Sequence, residues 1–192
     1  MKIGIDLDGV VFNTEMLWFT FAELYDCIEL NQNSIVNKDE ARIQEKYNWS
    51  DEEIKVFFDK YAAIKDFDIM PGAREVINLL KKDGHELIVI TARGSVPSQN
   101  ECFDIAMQKL RDEGIEFDKY YGKQNNKLET CKSENIDVMI DDNYNTCKIL
   151  AEENIPTIYF HSLNRRHFDE KKGVREVSNW GEVYRIIKSL EK

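Results

Sequence analysis

The chain is predicted to fold as an α/β protein, a doubly wound parallel sheet of about five strands interrupted after the first by a small helical insertion. Three observations carry this expectation. Five short apolar runs bounded by turn residues recur along the sequence, continuous enough for strands covered on both faces. Amphipathic stretches separate the later runs, as parallel strands need a crossover between them. Between the first run and the second, residues 14–66 carry helical patterns only.

The first strand lies in Lys2-Ile3-Gly4-Ile5-Asp6-Leu7-Asp8-Gly9-Val10-Val11-Phe12, an apolar run with two aspartates at its carboxyl end. Residues 14–30 then place Met16, Leu17, Phe19, Phe21, Leu24, Tyr25 and Ile28 on a helical stripe with Trp18 beside it, and Asn31 to Ser34 breaks it. Ser50-Asp51-Glu52-Glu53 has the spacing of a capping box and opens a helix with Ile54, Phe57, Phe58 and Tyr61. Pro71 starts a helix with Val76, Ile77, Leu79 and Leu80 on its apolar face, stopped by Lys81-Lys82-Asp83-Gly84. Glu86 to Thr91 is the second strand. Ser98-Gln99-Asn100-Glu101 caps the next helix, which ends at Gly114, and a short strand follows around 117–121. A helix over about 126–135, a strand at 137–140 ending in Asp141-Asp142, a helix over about 144–153, a strand at 156–160 and a final helix at 180–190 complete the series. The domain boundaries expected from this are a Rossmann-like core of residues 1–13 and 69–192 and a helical cap of residues 14–68.

Composition narrows the function. With 26 basic against 36 acidic residues the formal charge is -10, which disfavours the phosphate backbone of a nucleic-acid polymer. A small anion is still accommodated, because one divalent ion and one or two lysines invert the potential locally. Cys27, Cys102, Cys131 and Cys147 form no CxxC pair and have no histidine at ligand spacing, so they read as reduced packing residues of a cytoplasmic protein. No signal peptide and no apolar run of membrane-spanning length is visible, and membrane partners are not expected.

Ligands of doubly wound sheets bind beyond the carboxyl ends of the strands. Those ends hold Asp6 and Asp8, then Thr91-Ala92-Arg93, then Asp141-Asp142-Asn143, while Lys127 stands at the start of the helix before the last of them. Asp8-Gly9 alone reads equally as an ordinary strand-ending turn, Thr91 as a strand-ending hydroxyl, Lys127 as a solvated residue and Asp141-Asp142 as a helix cap. Together, several acids at adjoining strand ends would repel one another unless a cation met them, and hard oxygen donors in this number favour Mg2+. Neither GxxxxGK[ST] nor GxGxxG is present, which removes P-loop kinases and dinucleotide binders. A receiver domain needs its acidic pair after the first strand and its phosphoacceptor later, the reverse of this order.

These elements, in this order, resemble the four motifs of the haloacid dehalogenase superfamily. DxDG[TV] stands as Asp6 to Val10, the hydroxyl after the second apolar strand as Thr91, the lysine as Lys127 and the late acidic pair as Asp141-Asp142. The resemblance implies that Asp6 is a nucleophile forming an aspartyl-phosphate and that Asp8 is the acid and base; true dehalogenases of the superfamily lack that second aspartate. It implies Mg2+ on Asp6, the Asp8 backbone carbonyl and Asp142, with Asp141 holding a metal-bound water. Thr91, Ala92 and Lys127 belong to the implied phosphate site. Lys123 rivals Lys127, and Arg93 either binds phosphate or pairs with a neighbouring acid.

Within the superfamily, the stretches IDLDGVVFNT, MPGAREVINLLKKDGHELIVITAR and IDVMIDDN resemble the 5'(3')-deoxyribonucleotidase group and its bacterial relatives. The implied function is an Mg2+-dependent phosphomonoesterase acting on a small phosphorylated metabolite, nucleoside 5'-monophosphates above all. Alternatives are a phosphomutase, a phosphatase of a sugar phosphate or other small metabolite, and a non-catalytic binding domain. Trp18, Phe19, Trp49 and Phe57 of the insertion either stack on a base or simply fill a helical core. The basic segment His161 to His167 reads as a solvated loop or as a rim of the site.

Overall fold

Four of the five strands expected from the sequence sit in the interior of one sheet, the third lying at its edge, and the sheet explains the apolar runs. A computed structural model describes residues 1–40, 42–61, 67–94, 100–161, 167–168 and 173–191. Within them the strands are β1 (Lys2–Ile5), β2 (Glu86–Ile90), β3 (Lys119–Tyr121), β4 (Val138–Asp141), β5 (Thr157–Phe160) and β6 (Val174–Val177). Their order is β3-β2-β1-β4-β5-β6, and every pairing is parallel. The Rossmann-like architecture expected from the sequence is therefore present, with six described strands rather than five. The additional strand is β6, an edge segment reading Val-Arg-Glu-Val; with one neighbour only, it has no reason to carry the continuous apolar run that marks the others.

The helices are α1 (Thr14–Leu24), continued by a π-helical turn at Tyr25–Glu29, α2 (Ile43–Lys46), α3 (Asp51–Tyr61), α4 (Ala73–Lys82), α5 (Asn100–Asp112), α6 (Lys127–Glu134), α7 (Tyr144–Glu152) and α8 (Trp180–Leu190). Alternation along the strands divides the core. Ile3, Ile5, Leu87, Val89, Val138 and Ile140 meet Val76, Ile77 and Leu80 of α4, Leu110 of α5 and Val183 and Ile187 of α8. Ile88, Ile90 and Met139 point the other way, onto Cys131 of α6 and Leu150 of α7. Gly4 belongs to that second face, where a Cβ would come 2.6 Å from the Met139 sulfur. The strand at the centre of the sheet is thus thinned where its neighbours are bulkiest.

The insertion has its own apolar cluster. Ala22, Tyr25, Ile43, Tyr47, Trp49 and Phe57 are buried together, and the capping box at Ser50 forms as expected, Ser50 N donating to Glu53 Oε2 at 2.7 Å and Glu53 N to Ser50 Oγ at 3.3 Å. Asp26 lies inside this cluster, accepting from Trp49 Nε1 at 2.7 Å and from Ser34 N at 2.9 Å. Trp49 and Phe57 are therefore core rings of the insertion, closed to a base; Trp18 and Phe19 are half-buried. The expected cap at Ser98 and the basic residues 162–166 lie outside the described residues. Among the described residues no helix is long and apolar enough to cross a membrane.

The carboxyl end of β1 is shaped by two long-range anchors. The Leu7 carbonyl accepts from the backbone N–H groups of Val11 and Phe12, both at 2.8 Å, closing a single helical turn, and Gly9 N donates to the Phe12 carbonyl at 3.0 Å. From the other end of the sequence, Trp180 Nε1 donates to the Val10 carbonyl at 2.9 Å in a fully buried contact. Trp180→Phe removes that donor and leaves the carbonyl unpaired in the core, so the free energy of unfolding is expected to fall by about 1–3 kcal/mol, read from urea titrations. An unchanged midpoint would show that water or a neighbour replaces the indole.

Candidate active site

The strand order reverses between β1 and β4, and the predicted polar residues gather at the carboxyl ends beside that reversal. Asp6 follows β1, Asp141 is the last residue of β4, and Lys127 is the first residue of α6. Lys127 Nζ lies 2.9 Å from Asp6 Oδ2 and 2.7 Å from Asp141 Oδ2, joining elements far apart in sequence. All three are buried, Lys127 and Asp6 at 6% exposure and Asp141 at 0%. It is Lys127 whose ammonium bridges the two aspartates. Lys123 instead lies with its side chain against Gly94, on a backbone turn with φ +60°.

Each carboxylate is held differently. Asp141 is fully engaged, Oδ2 by Lys127 and Oδ1 by the Asn143 N–H at 2.9 Å. Asp6 gives Oδ2 to Lys127, while its buried Oδ1 has no hydrogen-bond partner among the described residues. Asp142 leans over the turn after β1: a Cβ on Gly9 would come 2.3 Å from Asp142 Oδ2, and Gly9 has φ +71°. Glycine is needed there twice over, for the left-handed backbone and for the close approach. Asp8 is gripped by Arg93, whose Nε donates to Oδ2 at 3.0 Å while Nη2 meets Oδ1. The Arg93 guanidinium is itself backed by Phe67, 4.5 Å from the ring centroid, and by Phe12 at 5.5 Å. Of the two partners the sequence allowed for Arg93, the structure shows the acid. Thr91 is buried, with Oγ1 accepting from the Arg93 N–H at 3.2 Å, and Ala92 lies between these two residues.

Electrostatics follow from this packing. Burial raises the Asp6 pKa to about 6; Lys127 opposes the rise, and Asp141 and Asp8 add to it. Burial also pushes Asp8 upward, but the Arg93 ion pair and hydrogen bonds outweigh it, and Asp8 rests below the ordinary carboxylate range. Asp142 is raised well above that range, first by burial and then by the charges of Glu15, Asp6 and Asp141. Lys127 is raised despite burial because Asp141 and Asp6 flank it. Glu15 and Thr14, which open α1, stand beside this site: the Glu15 charge acts on Asp142, and the buried Thr14 hydroxyl lies towards Asp8 without a hydrogen bond of ordinary length. Sequence reasoning missed both, since they read as the first turn of a helix, and it missed Trp180, since nothing in a lone tryptophan indicates that it braces a turn at the opposite end of the chain.

One oxygen from each of Asp6, Asp141 and Asp142 lies within 4.8 Å of the others. Four carboxylates, counting Asp8, face two buried cations, Lys127 and Arg93, and the unpartnered Asp6 Oδ1 is an acceptor awaiting a positive partner. An all-oxygen donor set of this kind fits a hard divalent ion.

No family model matches the chain. It is 24% identical to "Putative nucleotidase YqfW" of Bacillus subtilis over 192 residues, covering 95% of this chain and 91% of that protein. It is 25% identical to "Putative nucleotidase OB0422" of Oceanobacillus iheyensis over 189 residues, covering 94% and 95%. Among solved structures, a haloacid dehalogenase-like family hydrolase from Streptococcus pneumoniae superposes with a TM-score of 0.68 at 15% identity, covering 97% of each chain. The fold is that of the haloacid dehalogenase superfamily, as the four motifs implied.

The raised Asp6 pKa has a measurable consequence in protein stripped of divalent ions. Asp6 holds its proton more tightly folded than unfolded, so its contribution to stability is full below its ordinary value of 3.8 and is lost as pH rises through about 6. Asp6→Asn stays neutral throughout. In EDTA the variant is expected to gain stability over the parent across that window, on the order of 2 kcal/mol, measured by urea unfolding as a function of pH. A difference that does not vary with pH would contradict the assignment.

Proposed function

We propose that this haloacid dehalogenase superfamily phosphatase is a magnesium-dependent, 5'-nucleotidase-like phosphomonoesterase that works through an aspartyl-phosphate on Asp6. The observation that supports it most is the unpartnered, buried Asp6 Oδ1 at the mouth of the sheet, within reach of Asp142 and beside the Lys127 ammonium. At neutral pH the carboxylate of Asp6 is ionised, since neutral pH lies above its pKa of about 6.

In the first half-reaction an Asp6 oxygen attacks phosphorus, the ester P–O bond breaks, and Asp8 delivers a proton to the departing alkoxide. In the second half-reaction water attacks the same phosphorus, Asp8 takes the water's proton, and phosphate leaves with Asp6 restored. Lys127 holds a phosphoryl oxygen and keeps Asp6 aimed; Thr91 and the backbone at Ala92 line the same strand end. Asp6, the Asp8 backbone carbonyl and Asp142, with Asp141 through a bound water, would hold magnesium, which would supply charge neutralisation between the carboxylate and the phosphate.

Residues 14–68 form a cap on a core of residues 1–13 and 69–192, and the cap sets the leaving group. Its separate aromatic cluster and the reach of Thr14 and Glu15 into the strand-end site support this. The substrate is a small phosphorylated metabolite, nucleoside 5'-monophosphates first: both relatives, matched over nearly their whole length, carry the word nucleotidase in their names. Cys27, Cys131 and Cys147 form no disulfide, which suits the reducing cytoplasm.

The test is phosphate release from a panel of nucleoside monophosphates, sugar phosphates and phosphoglycolate. Turnover of nucleoside monophosphates is expected to exceed the rest, to stop in excess EDTA and return with magnesium, and to fall by at least about 10³-fold in Asp6→Asn, as for loss of a covalent nucleophile. Substantial residual turnover in Asp6→Asn would remove Asp6 from that role, and a sugar phosphate turned over faster would replace the nucleotide.

A further inference from the structure

Away from the aspartates, where β5 and β6 end, a second group of potential ligands is assembled from residues of a different chemistry. His161 follows β5, Glu176 lies in β6, and His167 comes from the connection between them. His161 Nε2 and His167 Nδ1 each lie 2.8 Å from the same oxygen, Glu176 Oε2. One ligand atom from each residue falls within 4.8 Å of the other two.

The three side chains are oriented by their surroundings. The His161 ring packs against Tyr159 at 4.5 Å between centroids and against His167 at 4.7 Å, and its backbone N–H extends the β5 to β6 pairing by donating to the Val177 carbonyl at 2.7 Å. Glu176 Oε1 accepts from the Phe168 N–H, which fixes the carboxylate and leaves Oε2 facing the two imidazoles. Phe168 is stacked on Tyr144 at 4.2 Å and set edge-on to Tyr159 at 5.2 Å, so the residue next to His167 is seated against the sheet. The cluster opens into a depression of about 710 Å3 that is also lined by Ser178, Glu182 and Arg185, which gives an ion a route in.

From this geometry we propose that His161, His167 and Glu176 form a binding site for a borderline divalent transition ion of the zinc class. Two imidazole nitrogens and one carboxylate oxygen are a donor set that suits such ions and is poor for magnesium. Bonds of about 2.0–2.2 Å from one ion to three ligands need the three atoms a little over 3 Å apart; each nitrogen, at 2.8 Å from the shared Glu176 oxygen, reaches that spacing from the oxygen by a small outward shift, and all three atoms already lie within 4.8 Å of one another. Glu176 already has the outer-shell hydrogen bond that orients a ligating carboxylate. Three protein ligands leave at least one coordination position for water or an exogenous ligand. The net charge of -10 favours any cation's approach.

The chain has three histidines, and the third, His85, lies buried beside the amino terminus, 3.3 Å from the Met1 nitrogen. Nitrogen ligation therefore reports on this site and separates it from the all-oxygen aspartates. Full-length protein freed of metal by chelation, then supplied with excess magnesium, is titrated with Zn2+ by calorimetry and with Cu2+ by electron paramagnetic resonance. One zinc per chain is expected, together with a Cu2+ spectrum showing coupling to two imidazole nitrogens. In His167→Ala zinc affinity is expected to drop at least about tenfold and the coupling to fall to one nitrogen; the side chain is 73% exposed, so its loss spares the fold. His161→Gln and Glu176→Gln should weaken zinc as well. Zinc affinity unchanged in His167→Ala, a Cu2+ spectrum with oxygen ligands only, or no zinc bound beyond what magnesium displaces would each overturn the proposal.

Discussion

The arrangement at the mouth of the sheet is governed by a charge deficit. Asp6, Asp8, Asp141 and Asp142 converge on a space whose buried cations are Lys127 and Arg93, and each of those is already committed to an aspartate. The carboxylates outnumber these cations by two, and burial together with the excess negative charge raises the pKa of Asp6 and Asp142, while one Asp6 oxygen has no hydrogen-bond partner among the described residues. An uncompensated carboxylate in such a place costs several kcal/mol, and no chain keeps several together for packing alone. The deficit matches a divalent ion in size and sign, which is the physical ground for the proposed magnesium.

Holding like charges together requires a scaffold that cannot relax away from them. Parallel pairing of β1 with β2 and β4 fixes the strand ends side by side, and Lys127 ties β1 to β4 from one flank of the sheet. On the other flank α8 sends the Trp180 indole to the Val10 carbonyl, so the turn that carries Asp8 is braced from the far end of the sequence. Gly9 then lets Asp142 lie against that turn, closer than any side chain at position 9 would allow. The same few contacts stop the carboxylates from separating and hold Asp6 in place.

Much of this was legible from the residues. Interior strands announce themselves as apolar runs, because both faces must be covered, and polar residues at the ends of such runs have nowhere to be but the mouth of the sheet. Asp6, Thr91 and Asp141 were readable for that reason and Lys127 through the motif order, and Asp6, Lys127 and Asp141 do come together. β6 was not readable, since an edge strand carrying Arg175 and Glu176 satisfies a weaker pattern. Nor were the residues that act across long separations: the indole of Trp180 and the charge of Glu15 depend on tertiary placement that no local period encodes. The insertion's rings show the same limit from the other side, where composition left stacking on a base and filling a core open and packing assigned Trp49 and Phe57 to a core.

The grip of Arg93 on Asp8 bears directly on the proposed chemistry. An ion pair that lowers a carboxyl's proton affinity suits a base taking a proton from water, yet the same carboxyl must first arrive protonated to release the alcohol. The two demands are reconciled by the substrate. On the proposed mechanism a phosphate dianion entering beside Asp8 would repel its charge and compete for the Arg93 guanidinium, and both effects would raise the proton affinity of Asp8. Once the alcohol has left, Arg93 can return to Asp8 and favour its ionised form for the attack of water. The aromatic backing of Phe12 and Phe67 limits how far Arg93 travels, since it keeps the cation's stem in place while its polar edge changes partner. The two partners that sequence left open for Arg93, acid and phosphate, would on the proposed mechanism be taken in turn, and the structure shows the acid.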